Sequence, residues 1–168
     1  MSTPFTRRGA LTLIGAGAAW PAWAARTGDA APPFTLPGLD APVTLALLKG
    51  RVVLLDFWAS WCGPCKQSFP WMAELQQRHG AAGLRVVAVN VDRQREKADA
   101  FLAQVPARFA VAFDPAGEVA RRYEIQGMPS SVLLGSDGRV LLHHTGFKDD
   151  DRAPLEAAVV AALKRAAP

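Results

Sequence analysis

A chain of 168 residues, half of them hydrophobic, has enough material for one domain around one core. Nineteen basic against 15 acidic residues leave a net charge of +4, too small to argue for nucleic acid or a membrane surface as partner. Only two cysteines are present, so a four-ligand zinc site lacks its second pair.

Residues 1–24 read as an export segment. Arg7 and Arg8 form a positive start, an apolar stretch runs from Gly9 to about Trp20, and Ala22-Trp23-Ala24 supplies the small residues of a cleavage site. Cleavage is expected after Ala24, leaving residues 25–168 as one domain outside the cytoplasm, in a periplasm or an equivalent exported compartment. The apolar run is short for a membrane span, which leaves an uncleaved anchor as the alternative. Thr6-Arg7-Arg8-Gly9-Ala10-Leu11 resembles a twin-arginine signal without the bulky residue at Ala10, and ordinary secretory export stays open. Removing residues 1–24 takes away Arg7 and Arg8 and no acid, which lowers the net charge from +4 to +2.

Residues 27–42 are rich in Pro, Gly and Ala and read as an extended lead-in. Pro33-Phe34-Thr35-Leu36 and Val43-Thr44-Leu45 have the composition to pair as a short hairpin. Val52 to Trp58 reads as a buried strand, and it runs into Trp61-Cys62-Gly63-Pro64-Cys65-Lys66. A helix is predicted from about Pro64 to His79, stopped by Gly80, with Pro70 kinking it near Gln67. Strand, C-x-x-C and helix in that order make a redox motif.

The chemistry gives the spacing its meaning. The thiolate is the reactive form of cysteine, and unpaired N–H groups at a helix N-terminus favour negative charge on Cys62. Pro64 suits the first helical turn because its missing N–H would have had no intrahelical partner. Cys65 lies deeper. Cys62 is therefore read as the attacking thiol and Cys65 as the resolving one. A purely structural disulfide would close a very short loop and stabilise little. A c-type haem site would need His where Lys66 stands. Asp56, an acid in an otherwise apolar strand, is costly unless neutral or paired; its pKa is expected to be raised, and it is placed to take the proton of Cys65. A structural acid held by local hydrogen bonds is the alternative.

Beyond this point Leu84 to Val91 reads as a second buried strand, Glu96 to Gln104 as a helix, Val111 to Phe113 as a short strand and Ala116 to Tyr123 as a helix. Ser131 to Leu134 and Arg139 to His144 are strands joined by the turn Gly135-Ser136-Asp137-Gly138. Asp150 or Asp151 is expected to cap a last helix from about Ala153 to Arg165. His143 and His144 point to opposite faces of their strand, and the Asp149-Asp150-Asp151 run lacks the glycine and distal glutamate of a calcium loop. Neither gives a metal site. Arg93, Arg95, Lys97, Arg121 and Arg122 read as solvated helix ends and faces.

The run from Asp56 to Lys66, DFWASWCGPCK, resembles the thioredoxin active-site signature, and Gly127-Met128-Pro129-Ser130-Ser131 resembles that superfamily's cis-proline loop. From about Ala31 onward the layout is similar to the exported TlpA/ResA-like branch, including its longer lead-in and its extra helix and strand between about Arg93 and Asp114. The resemblance implies a thioredoxin fold, a central mixed sheet flanked by helices. It implies a cis Met128–Pro129 bond facing Cys62, with the Met128 backbone pairing with an extended partner segment. Trp61, with Gly63 and Pro64, becomes the contact surface around the thiols; Trp58 and Trp71 fall to core or groove wall. Two departures stand out: Ala88 occupies the place of the lysine that approaches the buried acid in typical thioredoxins, and Ser68 occupies the place of an acid common in ResA-like proteins.

The function implied is that of an exported thiol:disulfide oxidoreductase, reducing protein disulfides through the Cys62–Cys65 dithiol with no other cofactor and no metal. Gly63-Pro64 between the cysteines resembles the reducing end of the family. Cytochrome c maturation or copper-site assembly would supply disulfide-bearing clients, a membrane thiol-electron carrier of the DsbD/CcdA type would supply electrons, and the protein would act as a monomer. Two other classes compete. A peroxiredoxin-like peroxide reductase would need a peroxidatic cysteine in a P-x-x-x-T/S-x-x-C context, and a non-catalytic binding or chaperone module would use the same groove without needing Cys62.

Overall fold

Strand β3 (Val52–Trp58) is buried at all seven positions, as a β-branched and apolar run covered on both faces must be. In this computed structural model, which describes residues 26–167, it lies at the centre of a five-stranded sheet of order β5-β4-β3-β6-β7. Strands β4 (Leu84–Asn90) and β5 (Ala110–Phe113) continue parallel on one side of β3. On the other side β6 (Ser130–Leu134) pairs antiparallel with β3, and β7 (Val140–Thr145) pairs antiparallel with β6. A separate two-stranded ladder, β1 (Thr35–Leu36) with β2 (Val43–Thr44), forms the expected lead-in hairpin. The mixed sheet between helices bears out the fold class expected from the sequence. The export segment and its cleavage site lie outside the described residues.

Period-two alternation along the sheet builds two cores. Val52, Leu54 and Trp58 face one of them, together with Val86 and Ala88 of β4 and Leu133 of β6. Helices cover that face: α1 (Cys65–His79), α2 (Arg95–Gln104) and α4 (Arg152–Ala166) contribute Phe69, Phe101 and Val159. Val53, Leu55 and Phe57 face the other core, closed by Phe34 and Leu36 of the lead-in and by Val119 and Ala120 of α3 (Glu118–Arg122). Both cysteines belong to the helix-covered core.

Helix α1 buries Cys65, Ser68, Phe69, Trp71, Met72 and Leu75, the stripe that a 3.6-residue period puts on one side. Pro70 is exposed and is accommodated within a single continuous helix.

Three expectations are corrected. Helix α3 starts at Glu118, not Ala116, because Gly117 takes a left-handed conformation (φ 65°) and the buried Asp114 carboxylate accepts the amides of Glu118 and Ala120. Asp151 stands at the N-cap position of α4 as expected, but its side chain makes no capping hydrogen bond to that helix. Asp149–Asp151 form a short 3-10 turn, and the Asp151 carboxylate accepts the Lys148 amide at 2.9 Å. Three of the arginines read as solvated are exposed but also engaged: the Arg95 guanidinium lies 3.7 Å from the Phe113 ring centre, Arg121 donates to the Ala116 carbonyl at 2.8 Å, and Arg122 donates to the Pro33 carbonyl at 2.6 Å.

Candidate active site

The chain leaves the end of β3 at Trp58 and turns back through Ala59, whose carbonyl accepts the Cys62 amide at 3.0 Å. Helix α1 then begins at Cys65 with Pro64 as the residue before it. Cys62 and Cys65 are joined as a disulfide. The Cys65 amide, one of the helix's first unpaired N–H groups, donates to Cys62 Sγ at 3.2 Å. On reduction that donor and the helix dipole stabilise charge on the outer sulfur. Cys62 is 3% exposed and Cys65 0%. Around them Trp61 (71% exposed), Gly63 and Pro64 form an open rim.

Asp56 shares its face of β3 with Leu54 and Trp58, residues that pack in the same cluster as both cysteines. It is buried, and its pKa is pushed up to about 7 by loss of solvent, opposed by the hydroxyl of Ser131. That hydroxyl donates to Asp56 Oδ1 at 2.8 Å, while Oδ2 has no hydrogen-bond partner. The register explains both neighbours: Ala88 stands beside Asp56 on β4 and Ser131 on β6. No lysine approaches from β4, and Ser68 is buried with its hydroxyl on the Cys65 carbonyl at 3.2 Å.

The Met128–Pro129 bond is cis. Pro129 is buried, its carbonyl accepts the Gly146 amide at 2.8 Å, and the half-buried Met128 packs against both cores. Trp58 and Trp71 are buried in the core.

Four participants escaped the sequence reading. One is Ser131, visible only as a polar residue in an apolar strand. The others form a clamp on the turn before Cys62. Asp92, buried just beyond β4, accepts the Ser60 amide at 2.7 Å and the Ser60 hydroxyl at 2.9 Å. Asn90 Nδ2 donates to the same carboxylate at 2.8 Å and its Oδ1 accepts the Asp92 amide at 3.0 Å. Serine in a turn and Asn-x-Asp at a strand end were the available signals, but neither names its partner.

The chain is similar to known proteins. The family model described as Redoxin matches residues 26–159. The thiol-disulfide oxidoreductase ResA of Oceanobacillus iheyensis is 36% identical over 120 residues, which cover 68% of this chain and 62% of that protein, so the chain matches less than two thirds of its length. ResA of Bacillus subtilis is 33% identical over 120 residues, covering 71% of this chain and 67% of the relative. Among solved structures, one from Chlorobium tepidum, provisionally described as thiol:disulfide interchange protein DsbE, is 53% identical with a TM-score of 0.82 and covers 83% of this chain and 99% of its own. A second Chlorobium tepidum structure, a thiol:disulfide interchange protein of the thioredoxin family, is 26% identical with a TM-score of 0.71, covering 83% and 98%.

Proposed function

The chain belongs to the Redoxin family, and from that membership we propose that it is an exported thiol–disulfide oxidoreductase that reduces disulfides in client proteins. The observation that carries this reading is the Cys62–Cys65 disulfide at the mouth of α1, with the Cys65 amide on Cys62 Sγ.

In the reaction the dithiol form acts first. The Cys62 thiolate attacks one sulfur of the client disulfide; a bond to Cys62 forms, the client S–S bond breaks, and the departing client thiolate takes a proton. Cys65 then gives its proton to Asp56 and attacks Cys62 Sγ. The mixed disulfide breaks and the second client sulfur leaves as thiolate. Two electrons pass to the client and the Cys62–Cys65 disulfide is restored. Trp61, Gly63, Pro64 and the Met128-Pro129 backbone form the docking rim.

Return to the dithiol needs an electron source, and in an oxidising compartment a membrane carrier of the DsbD/CcdA type is the proposed donor. Clients of cytochrome c maturation or copper-site assembly are the proposed substrates, met by a monomer. Export rests on Arg7-Arg8, the apolar run and Ala22-Trp23-Ala24. Mass spectrometry of the protein from its native host is expected to find an N-terminus at or near Ala25; a full-length chain held in the membrane would reject cleavage.

The direct test uses cysteine variants of the whole chain. Cys65→Ser is expected to trap clients as mixed disulfides on Cys62, and Cys62→Ser to abolish reduction of a model protein disulfide. Full function with Cys62→Ser would replace the reading with a non-catalytic binding module.

A further inference from the structure

Beside the disulfide the surface is hollowed twice. A small depression of about 230 Å³ is lined by Ser60, two residues before Cys62, and by Lys66, directly after Cys65. Lys97, Ala100, Phe101 and Gln104 close it from α2, the i, i+3, i+4, i+7 face of that helix. Lys66 and Gln104 also line a larger groove of about 740 Å³, which continues along α1 over Pro70 and Ala73 and ends at Val105, Pro106 and Arg108. The two hollows meet at Lys66 and Gln104, which line both, and together make a channel, one wall of which is the inserted segment between β4 and β5.

The channel's lining combines apolar residues, among them Pro70, Ala73, Phe101 and Val105, with cations. Three cations, Lys66, Lys97 and Arg108, line it against the single carboxylate of Glu74, and the depression nearest the disulfide holds two lysines and no acid. Among the described residues none of these three cations is in an ion pair; Arg95, two residues before Lys97 on α2, is paired with Asp99 at 2.8 Å. All three are exposed. Charge of one sign placed around a concave entrance raises the arrival rate of the opposite sign and loses that effect in salt.

We propose that this channel is a docking site for an acidic extended segment of the client, held between Lys66 and Lys97 at one end and Arg108 at the other while the client disulfide meets Cys62. The inference rests on the thiol–disulfide exchange reading above and adds the class of client that the exchange favours. Selectivity falls on encounter and not on the chemistry, because exposed charge pairs contribute little once solvated.

The test uses three synthetic peptides with the same internal disulfide, flanked by Asp and Glu, by Ser and Gly, or by Lys. Single-turnover reduction by the reduced full chain is followed at low and high salt. The acidic peptide is expected to react faster than the neutral one by about three- to tenfold at low salt, with the gap closing at high salt. Lys97→Glu and Arg108→Glu, which lie outside the exchange machinery, are expected to remove the preference and leave the neutral peptide's rate unchanged. Equal rates for the three peptides, or a preference that survives both variants, would overturn the docking site. A cysteine-free acidic peptide titrated against the same protein decides the matter without turnover. Amide shifts confined to Lys66, to the α2 face and to Arg108 support the site; their absence overturns it. No reduction of any peptide would instead overturn the exchange reading, and the titration would still decide the channel.

Discussion

Asp56 has two carboxylate oxygens and one hydrogen-bond donor, the Ser131 hydroxyl on Oδ1. Burial therefore dominates, and the acid's pKa rises from 3.8 to about 7. Such a group sits where a base working near neutral pH must sit. Replacing it by Asn keeps the size and removes the proton acceptor. Attack by Cys62 is expected to survive in Asp56→Asn while resolution by Cys65 slows, so that mixed disulfides accumulate. In the wild type the resolving rate should climb as pH passes about 7, and in the variant it should not. Stopped-flow reduction of a model disulfide across pH, with mixed-disulfide lifetime read in parallel, makes the comparison; equal resolving rates at every pH would leave Asp56 a structural acid. Stability carries a second signature. Between the unfolded pKa near 4 and the folded value of about 7, the native state holds a proton that the unfolded chain has released, so wild-type stability falls as pH rises through that window. Asp56→Asn should flatten this stretch of the profile and be at least as stable at pH 7. Ser131→Ala, which removes the group opposing the shift, should move the resolving profile to higher pH.

The elements meet the chemistry at their ends. The end of β4 reaches across to the turn that follows β3, and Asp92 there accepts both donors of Ser60, two residues before Cys62. Asp92→Asn removes the carboxylate charge from these hydrogen bonds and leaves one oxygen for the Ser60 and Asn90 N–H donors. It is expected to cost about 1–3 kcal/mol in denaturant unfolding and to slow Cys62 exchange. Ser60→Ala, which leaves the backbone amide bonded, should cost about 1 kcal/mol. Unchanged Cys62 alkylation rates in Asp92→Asn would show that the clamp holds the fold and not the thiol. The strands were legible because a buried parallel strand needs a run of apolar residues, and Val52–Trp58 is apolar at every position but Asp56. Cys62, Cys65 and Asp56 were legible because spacing and an acid among apolar neighbours are local signals. The Ser60–Asp92 clamp was not, since its partners stand 32 positions apart and each alone looks like an ordinary loop residue. The start of α3 failed for a related reason: its cap is the side chain of Asp114, four residues before Glu118, and not a residue adjoining the helix. Arg95 and Arg122 read as solvated because sequence periodicity says nothing of an aromatic face or a carbonyl supplied by another segment.

The sheet divides the molecule into a face that carries the redox centre and a face that does not. Cys62, Cys65, Trp58 and Phe69 share one core; the lead-in and α3 close the other. The lead-in is tied down by side chains from later in the chain. Tyr123 donates its hydroxyl to the Pro32 carbonyl at 2.9 Å, Arg139 donates to Gly28 at 2.8 Å, and the Phe34 and Tyr123 rings meet edge-on with centres 6.4 Å apart. Phe34 is 5% exposed, so its removal leaves a cavity against Tyr123 on the side of the sheet away from the thiols. Phe34→Ala is expected to lose about 3–5 kcal/mol in denaturant unfolding. Because β3 stands between this cavity and Cys62, the alkylation rate of the reduced, folded variant should match the wild type. Phe69→Ala provides the contrast. Its ring lies 5.0 Å from Trp58 and 5.1 Å from Phe101, in the core that holds Cys65, so stability and Cys62 reactivity should change together. Phe34→Ala lowering Cys62 reactivity in the folded protein would show that the two cores act as one, and that the lead-in reaches the active site through the sheet.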